Sequence, residues 1–257
     1  MNWICLPDVS SNFDDKVAEI KQHISLLKKL LARDAKVSYR QGWHTKNLEL
    51  THELTHPLKA GVTLMMYNFM ESVGNAIMRD IHKHLKDSFD SSPWRLNEAN
   101  AQLQQKIISY AKNQKNLVDN LISQYEMISP SNSSIILQLW ISEKYQASIE
   151  DMPQWFNGNL DAKRIGNLAS DYGFETNRLK KMRNVSGSSL LATKTNRNQL
   201  AHGAKTFTEF GQGKSLEEIE NDFKNILNFF RGLLKIINDY LMNAHYRQNS
   251  CQQPHPT

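Results

Sequence analysis

Apolar residues recur at helical period along most of the chain. Leu58, Val62, Met65, Phe69, Val73, Ile77, Ile81 and Leu85 fall three or four apart, which puts them on one face of a long helix. Pro57 suits the first turn of that helix, where its missing N–H has no intrahelical partner. A second stripe, Leu103, Ile107, Tyr110, Leu117, Leu121 and Tyr125, predicts a helix that stops by Ser129-Pro130, because the residue before proline avoids helical backbone. Leu216, Ile219, Phe223, Ile226, Phe230, Leu233, Ile237 and Tyr240 predict a closing helix, opened by Ser215 and Glu218 in capping-box spacing. Phe13, Val17, Ile20, Ile24, Leu27 and Leu31 predict one more near the N-terminus.

The middle of the chain is less regular. The apolar run Ile135 to Ile141 fits a strand or a helix equally well. Asp161 is placed to cap a short helix through Ala169, with Gly173 ending it. Leu190 to His202 reads as a further helix, with Gly203 as its left-handed C-terminal residue and a loop from Ala204 to Gly213. The expectation is an all-α, up-and-down bundle with an irregular insert before the Leu190 helix. Residues 1–56 form an N-terminal segment whose single helix packs on the bundle, 57–247 the main helical domain, and 248–257, with Pro254 and Pro256, a frayed tail.

Composition narrows the class. In 257 residues, 40% are hydrophobic and 22% charged, as a packed globular chain requires, and 11 Gly with 7 Pro argue against a loop-rich all-β fold. A mean hydropathy of −0.56 and the lack of any run near ~20 apolar residues predict no membrane span. The first residues carry no basic and apolar leader pattern. The two cysteines, Cys5 and Cys251, make neither a disulfide framework nor a cysteine zinc site, so a cytoplasmic location is expected. A net charge of +5 is compatible with nucleic acid without demanding it.

Two local patterns carry candidate chemistry. His52-Glu53-Leu54-Thr55-His56 matches the His-Glu-x-x-His signature, in which two histidines on one helical face bind zinc and the glutamate activates the metal-bound water. Pro57 follows at once and should push His56 out of helical geometry, and no third-ligand motif follows; the zinc hydrolase is therefore the lesser alternative, and no metal or cofactor is expected. The second pattern is Arg197-Asn198-Gln199-Leu200-Ala201-His202. Its spacing alone says little, since Arg79 to His84 repeats it within the long amphipathic helix, where a solvated face is the simpler reading. Arg197 and His202 differ in setting. They close a helix at Gly203, and Lys194 and Lys205 flank them as cations suited to phosphate, although cations also favour a helix C-terminus through its dipole.

These residues resemble a family. Arg197-Asn198-x-Leu200-Ala201-His202-Gly203 is similar to the signature of HEPN domains, and Leu58-Lys59-Ala60 through Tyr67-Asn68-x-x-Glu71-Ser72 resembles the early helix of the HEPN subgroup named after two Microcystis proteins. Asn159-Leu160-Asp161-Ala162-Lys163-Arg164-Ile165 followed by Tyr172-Gly173 resembles the same subgroup, over about Pro57 to Tyr246 in all. The resemblance implies a HEPN-like bundle and metal-independent RNA cleavage in a toxin–antitoxin or anti-phage defence system. It also implies a homodimer whose signature helices face one another, with an antitoxin or defence protein as candidate partner. Some HEPN toxins carry a modified tyrosine two residues after the histidine; here Ala204 stands there. Other HEPN proteins only bind RNA or protein, and a non-catalytic module is the main alternative.

Cleavage without metal needs a base for the ribose 2′-hydroxyl, an acid for the leaving 5′ oxygen and positive charge at the phosphate. Histidine and arginine supply these. Five residues of ideal helix turn about 500°, leaving Arg197 and His202 roughly 140° apart in projection. A two-fold axis at the helix end could gather both pairs into one cleft. Asn198 is a candidate to orient phosphate or imidazole. Glu71 is the candidate orienting carboxylate, with Asn68 in support, although a salt bridge on an amphipathic helix explains Glu71 as well. Trp140, Trp155 and Phe156 could stack bases, but filling a core is their commoner use.

Overall fold

The computed structural model describes residues 3–32, 36–49, 52–113, 130–149 and 155–248. In chain order these form α1 (Pro7–Leu30), the strands β1 (Lys36–Gln41) and β2 (His44–Glu49), α2 (His52–Ser91), α3 (Ala101–Asn113), α4 (Pro130–Ile149), α5 (Ala162–Tyr172), α6 (Asn177–Ala201), α7 (Phe207–Gln212) and α8 (Leu216–Met242). The expected all-α bundle is what forms, with one small antiparallel hairpin added.

The centre is a junction of aromatic rings. Trp3 meets Phe13 edge-on at 5.2 Å, Phe13 meets Phe69 at 5.3 Å, and Phe69 meets Phe230 at 5.7 Å, so α1, α2 and α8 share one core. The predicted stripe of α1 is buried from Phe13 to Leu27. Asp80 of α2, itself buried, accepts the amides of Asp8 and Val9 at 3.1 Å each, answering two orphan donors at the start of α1. Burial pushes the Asp80 carboxyl up to about 6 against the pull of those two amides. A second buried group gathers His82, Trp140, Trp155 and Tyr172. The His82 Nε2 lies 2.7 Å from the Tyr172 hydroxyl, and burial, reinforced by Lys144 and Lys106, lowers the imidazole to about 3.

Several boundaries differ from expectation for identifiable reasons. α2 begins at His52, with Pro57 inside it. Proline at this point removes one amide donor early in the helix, and packing offsets the loss: α7 lies so close that a Cβ on Gly211 would stand 2.2 Å from the His56 carbonyl oxygen. His56 is therefore helical, contrary to the expected displacement. α6 starts at Asn177 rather than Leu190, capped by Thr176, whose side chain accepts the Leu179 amide. Its extra turns are hard to read because the buried face there uses Ser186 and Ser189, and Thr193 continues it. The expected loop from Ala204 to Gly213 contains α7, opened by a capping box of Thr206 and Glu209. Ile135 to Ile141 is helical, within α4. Leu117, Leu121, Tyr125 and Ser129 of the second stripe lie outside the described residues, as do Pro254 and Pro256 of the tail.

The elements that frame the Arg197–His202 segment were predicted more closely. Asp161 caps α5 through its Oδ1, which accepts the Arg164 amide at 2.8 Å, and Gly173 ends that helix at φ 83°. Gly203 follows α6 at φ 69°, a conformation costly for any residue with a Cβ. Ser215 and Glu218 form the expected capping box of α8.

Candidate active site

Arg197 lies on the last turns of α6, and three elements hold it. Its guanidinium stacks over the Tyr67 ring of α2, 4.9 Å from the centroid. Nη1 donates to the Asn198 side-chain oxygen at 3.1 Å. Beneath it runs the turn Phe156-Asn157-Gly158-Asn159, in which Asn157 (φ 47°) and Gly158 (φ 73°) are both left-handed and the Asn159 amide closes onto the Phe156 carbonyl at 2.8 Å. A Cβ on Gly158 would stand 2.8 Å from Arg197 Nη1, so the arginine rests on backbone that only glycine leaves bare. Arg183, two turns from the start of α6, rests in the same way against Gly166 of α5 while pairing with Glu175 at 2.6 Å.

Further ties fix the turn itself. Glu71 accepts the Gly158 amide at 2.8 Å, and the Tyr67 hydroxyl oxygen accepts the Leu160 amide at 3.3 Å. Burial raises the Tyr67 phenol above its ordinary pKa; the Leu160 amide and the Arg197 charge oppose this, while Glu71 and Asp161 add to it. Lys194 donates to Asp161 at 2.5 Å, both side chains being largely buried. Burial alone would raise the Asp161 carboxyl, but Lys194 and the Arg164 amide outweigh it and hold the group below its usual range.

The histidine end is built differently. His202 is the C-cap of α6, its amide donating to the Asn198 carbonyl at 3.0 Å, and its side chain is exposed, as is that of Lys205. A small apolar cluster of Ala60, Leu200 and Phe210, with Leu64 against it, pins the helix end to α2 and α7. Lys59, almost wholly buried, donates to the carbonyls of Gly211 at 3.2 Å and Lys214 at 2.9 Å, where α7 gives way to α8.

Of the predicted residues, the fold thus gathers Arg197, Asn198 and Glu71 around one turn, with Lys194 at the cap of α5 and with His202 and Lys205 at the helix end. Asn68 is exposed on α2. Lys194 spends its charge on Asp161, so it braces the start of α5. The Arg79–His84 pair does not lie on a solvated face: Arg79 binds Asp8 at 3.0 Å, and His84 is half-buried against the Tyr246 ring. Trp140 and Phe156 are core residues; with Trp155 they also line a cavity of about 740 Å³ between α3, α4 and α5, which none of Arg197, Asn198, His202, Glu71 or Lys194 reaches. His52 and His56 share helical backbone, but among the described residues no group of three His, Cys, Asp or Glu is gathered for a metal. Tyr67 and Gly158 were missed as site residues. The dipeptide Asn157-Gly158 was the available signal, since both residues accept left-handed backbone.

A family model, that of the MAE_28990-like HEPN family, matches residues 8–246. The chain belongs to this HEPN family. The match takes in α1 as well as the segment from Pro57 onward. HEPN domains are all-α, commonly act as ribonucleases or bind nucleotides, and often bind RNA and dimerise. Comparison with curated proteins and with solved structures returned no match. No helix among the described residues is long and apolar enough to cross a membrane.

Proposed function

We propose that this HEPN protein is a metal-independent endoribonuclease whose site is completed by a second copy of the chain. The observation that carries the reading is the unequal treatment of the signature pair: Arg197 is fastened into the fold, while His202 stands exposed at the end of an unpartnered helix face. That face runs through Val185, Ser188, Leu191, Thr195, Asn198 and His202 at spacings of three and four. It carries no charge over about 25 Å of helix, and Val185 and Leu191 are 67% and 51% exposed. Two such faces packed across a two-fold axis would bring the paired histidines and arginines to one cleft.

At that cleft one imidazole accepts the proton of a ribose 2′-hydroxyl as its oxygen attacks phosphorus. The other protonates the departing 5′ oxygen, leaving a 2′,3′-cyclic phosphate and a 5′-hydroxyl. Arg197 and Lys205 offset the charge gathering on the phosphate. Glu71 and Lys194 act as positioning residues, holding the turn under Arg197 and the start of α5. A toxin or anti-phage role, restrained by an antitoxin or a defence partner, fits such an activity.

One observation favours the second reading, a binding module without catalysis: the Arg197 guanidinium is already engaged with Tyr67 and Asn198 within a single chain. Cleavage of labelled single-stranded RNA in excess EDTA separates the two. The ribonuclease reading expects cyclic-phosphate ends from the wild type and none from His202→Ala. Equal products from both proteins would remove His202 from catalysis, and RNA binding without any product would favour the module.

A further inference from the structure

The hairpin has no role in the site described above, yet among the described residues it offers an unbroken exposed run from Ser38 to Lys46. β1 and β2 pair antiparallel from Lys36↔Glu49 to Gln41↔His44, and Gly42, at φ 65°, takes the first position of the two-residue turn, where a type II′ hairpin needs a left-handed residue. Trp43 occupies the second. Every side chain from Ser38 to Lys46 is exposed. Trp43 is 101% exposed and Tyr39 47%, whereas Trp3, Trp94 and Trp140 are buried and Trp155 is partly buried. An indole held wholly in water at a turn contributes no packing to the fold, and a two-stranded hairpin by itself is only marginally stable.

The chemistry of these side chains selects an occupant. Tyr39 faces Lys46 across the strands, and Gln41 faces His44 on the same side, with Trp43 at the tip; Arg40, opposite Thr45, lies on the other side. Residues 36–49 include Lys36, Arg40 and Lys46 and one acid, Glu49, which faces Lys36 at the end away from the turn. Aromatic faces interleaved with cations, with no acid between Val37 and Leu48, match the bases and phosphates of an unpaired nucleic-acid strand. A protein strand added to the hairpin edge would use backbone groups and leave Trp43 without a function. A lipid surface would be met by a wider apolar surface than one indole and one phenol.

We propose that the β1–β2 hairpin is a second RNA-contact site, in which Trp43 and Tyr39 stack bases of single-stranded RNA while Arg40 and Lys46 hold its phosphates. The inference rests on the reading of the substrate as RNA. It adds a place where the strand is gripped outside the Arg197–His202 cleft.

The test uses the full chain and a fully 2′-O-methylated RNA oligonucleotide, which cannot be cut by 2′-hydroxyl attack. Trp43→Ala should weaken binding about tenfold, as loss of one stacked base does, while Trp43→Phe keeps most of the affinity. Arg40→Ala with Lys46→Ala should reduce the slope of log Kd against log salt by about 1.4. On cleavable RNA, Trp43→Ala should raise KM and leave kcat unchanged. Acrylamide should quench mainly Trp43 in the free protein, and the oligonucleotide should protect it. A wild type that binds the oligonucleotide while the hairpin variants bind equally well would overturn this inference and leave the RNA reading standing. A wild type that binds none would remove the RNA reading and this inference with it. Trp43-dependent binding to phosphatidylserine vesicles in place of RNA would reassign the hairpin to a membrane surface.

Discussion

The two ends of the Arg197–His202 segment sit within two turns of one helix and are held in opposite ways. Arg197 is enclosed: an aromatic ring and a bare glycine lie against its guanidinium, and a carboxylate fixes that glycine's amide. Among the described residues, His202 is supported through its backbone and through the apolar cluster beneath Leu200, and its imidazole is exposed. The cation's position is therefore set by folding of one chain, whereas the imidazole is left open to solvent. On the dimeric reading proposed above, a site divided this way would let a monomer be stable and inactive.

The largest expected effect separates those two conditions. His202→Ala should reduce cleavage at least about 100-fold, the scale of a lost general acid or base, with an unchanged melting temperature. Arg197→Ala should lose comparable activity and also about 1–2 kcal/mol of stability with the cation–π contact. Equal melting of both variants would break the contrast.

Acid would blur it, because the fold has its own buried histidine. His82 is lowered to about 3 from an ordinary value near 6.5. Between those values the unfolded chain takes up a proton that the folded one refuses. The associated stability is thus complete above about pH 6.5 and is lost as pH falls toward 3, amounting to about 3 kcal/mol at pH 4. His82→Gln, which can still bond the Tyr172 hydroxyl, should flatten this acid loss in melting curves. Asp80 and the lowered carboxyl of Asp161 still titrate in that background, so the active site's own acid loss is read from cleavage normalised to folded fraction.

A smaller effect comes from two glycines with nearly equal backbone. Gly158 and Gly203 have φ 73° and 69°, but Arg197 lies on the first, and nothing stands within 4 Å of a Cβ on the second. Each Gly→Ala change should cost about 1 kcal/mol from strain. Gly158→Ala alone should also depress cleavage beyond what stability explains, which activity normalised to folded fraction would show. The smallest effect is expected from Tyr67→Phe, which keeps the ring under Arg197 and loses only the hydroxyl that accepts the Leu160 amide. Melting should drop by about 1 kcal/mol or less, with cleavage nearly intact.

The same contrast explains what the sequence made legible. Arg197, Asn198 and His202 are neighbours in the chain, and Gly203 announces the helix end through a local conformational need. Asp161, Gly173 and the Ser215–Glu218 box are likewise local, and each was placed correctly. The seat of Arg197 joins Tyr67 to a turn some 90 residues later, and no periodicity reports such a meeting. α6 was read too short because its buried face near Ser186 and Ser189 is polar, and Asn225 reaches across from α8 to the Ser189 hydroxyl at 3.1 Å. α7 was read as loop because six residues with a glycine give too little pattern, although Thr206 and Glu209 carried the cap. The hairpin's Gln41-Gly42-Trp43-His44 turn lacks the Asn-Gly or Asp-Gly pair that marks such a connection most strongly. Pro57 misled in the other direction, because tertiary contact with α7 overrode a local preference.

Resting an arginine on glycine, as Arg197 does on Gly158 and Arg183 does on Gly166, shapes how this protein can be inherited. The fit depends on atoms that are missing, so almost any coding change at Gly158 intrudes on Arg197 while sparing every polar group of the site. On the ribonuclease reading, drift at that codon would silence a lineage without erasing its Arg–His signature. Descendants that have become inactive can therefore still look armed when only the signature is read.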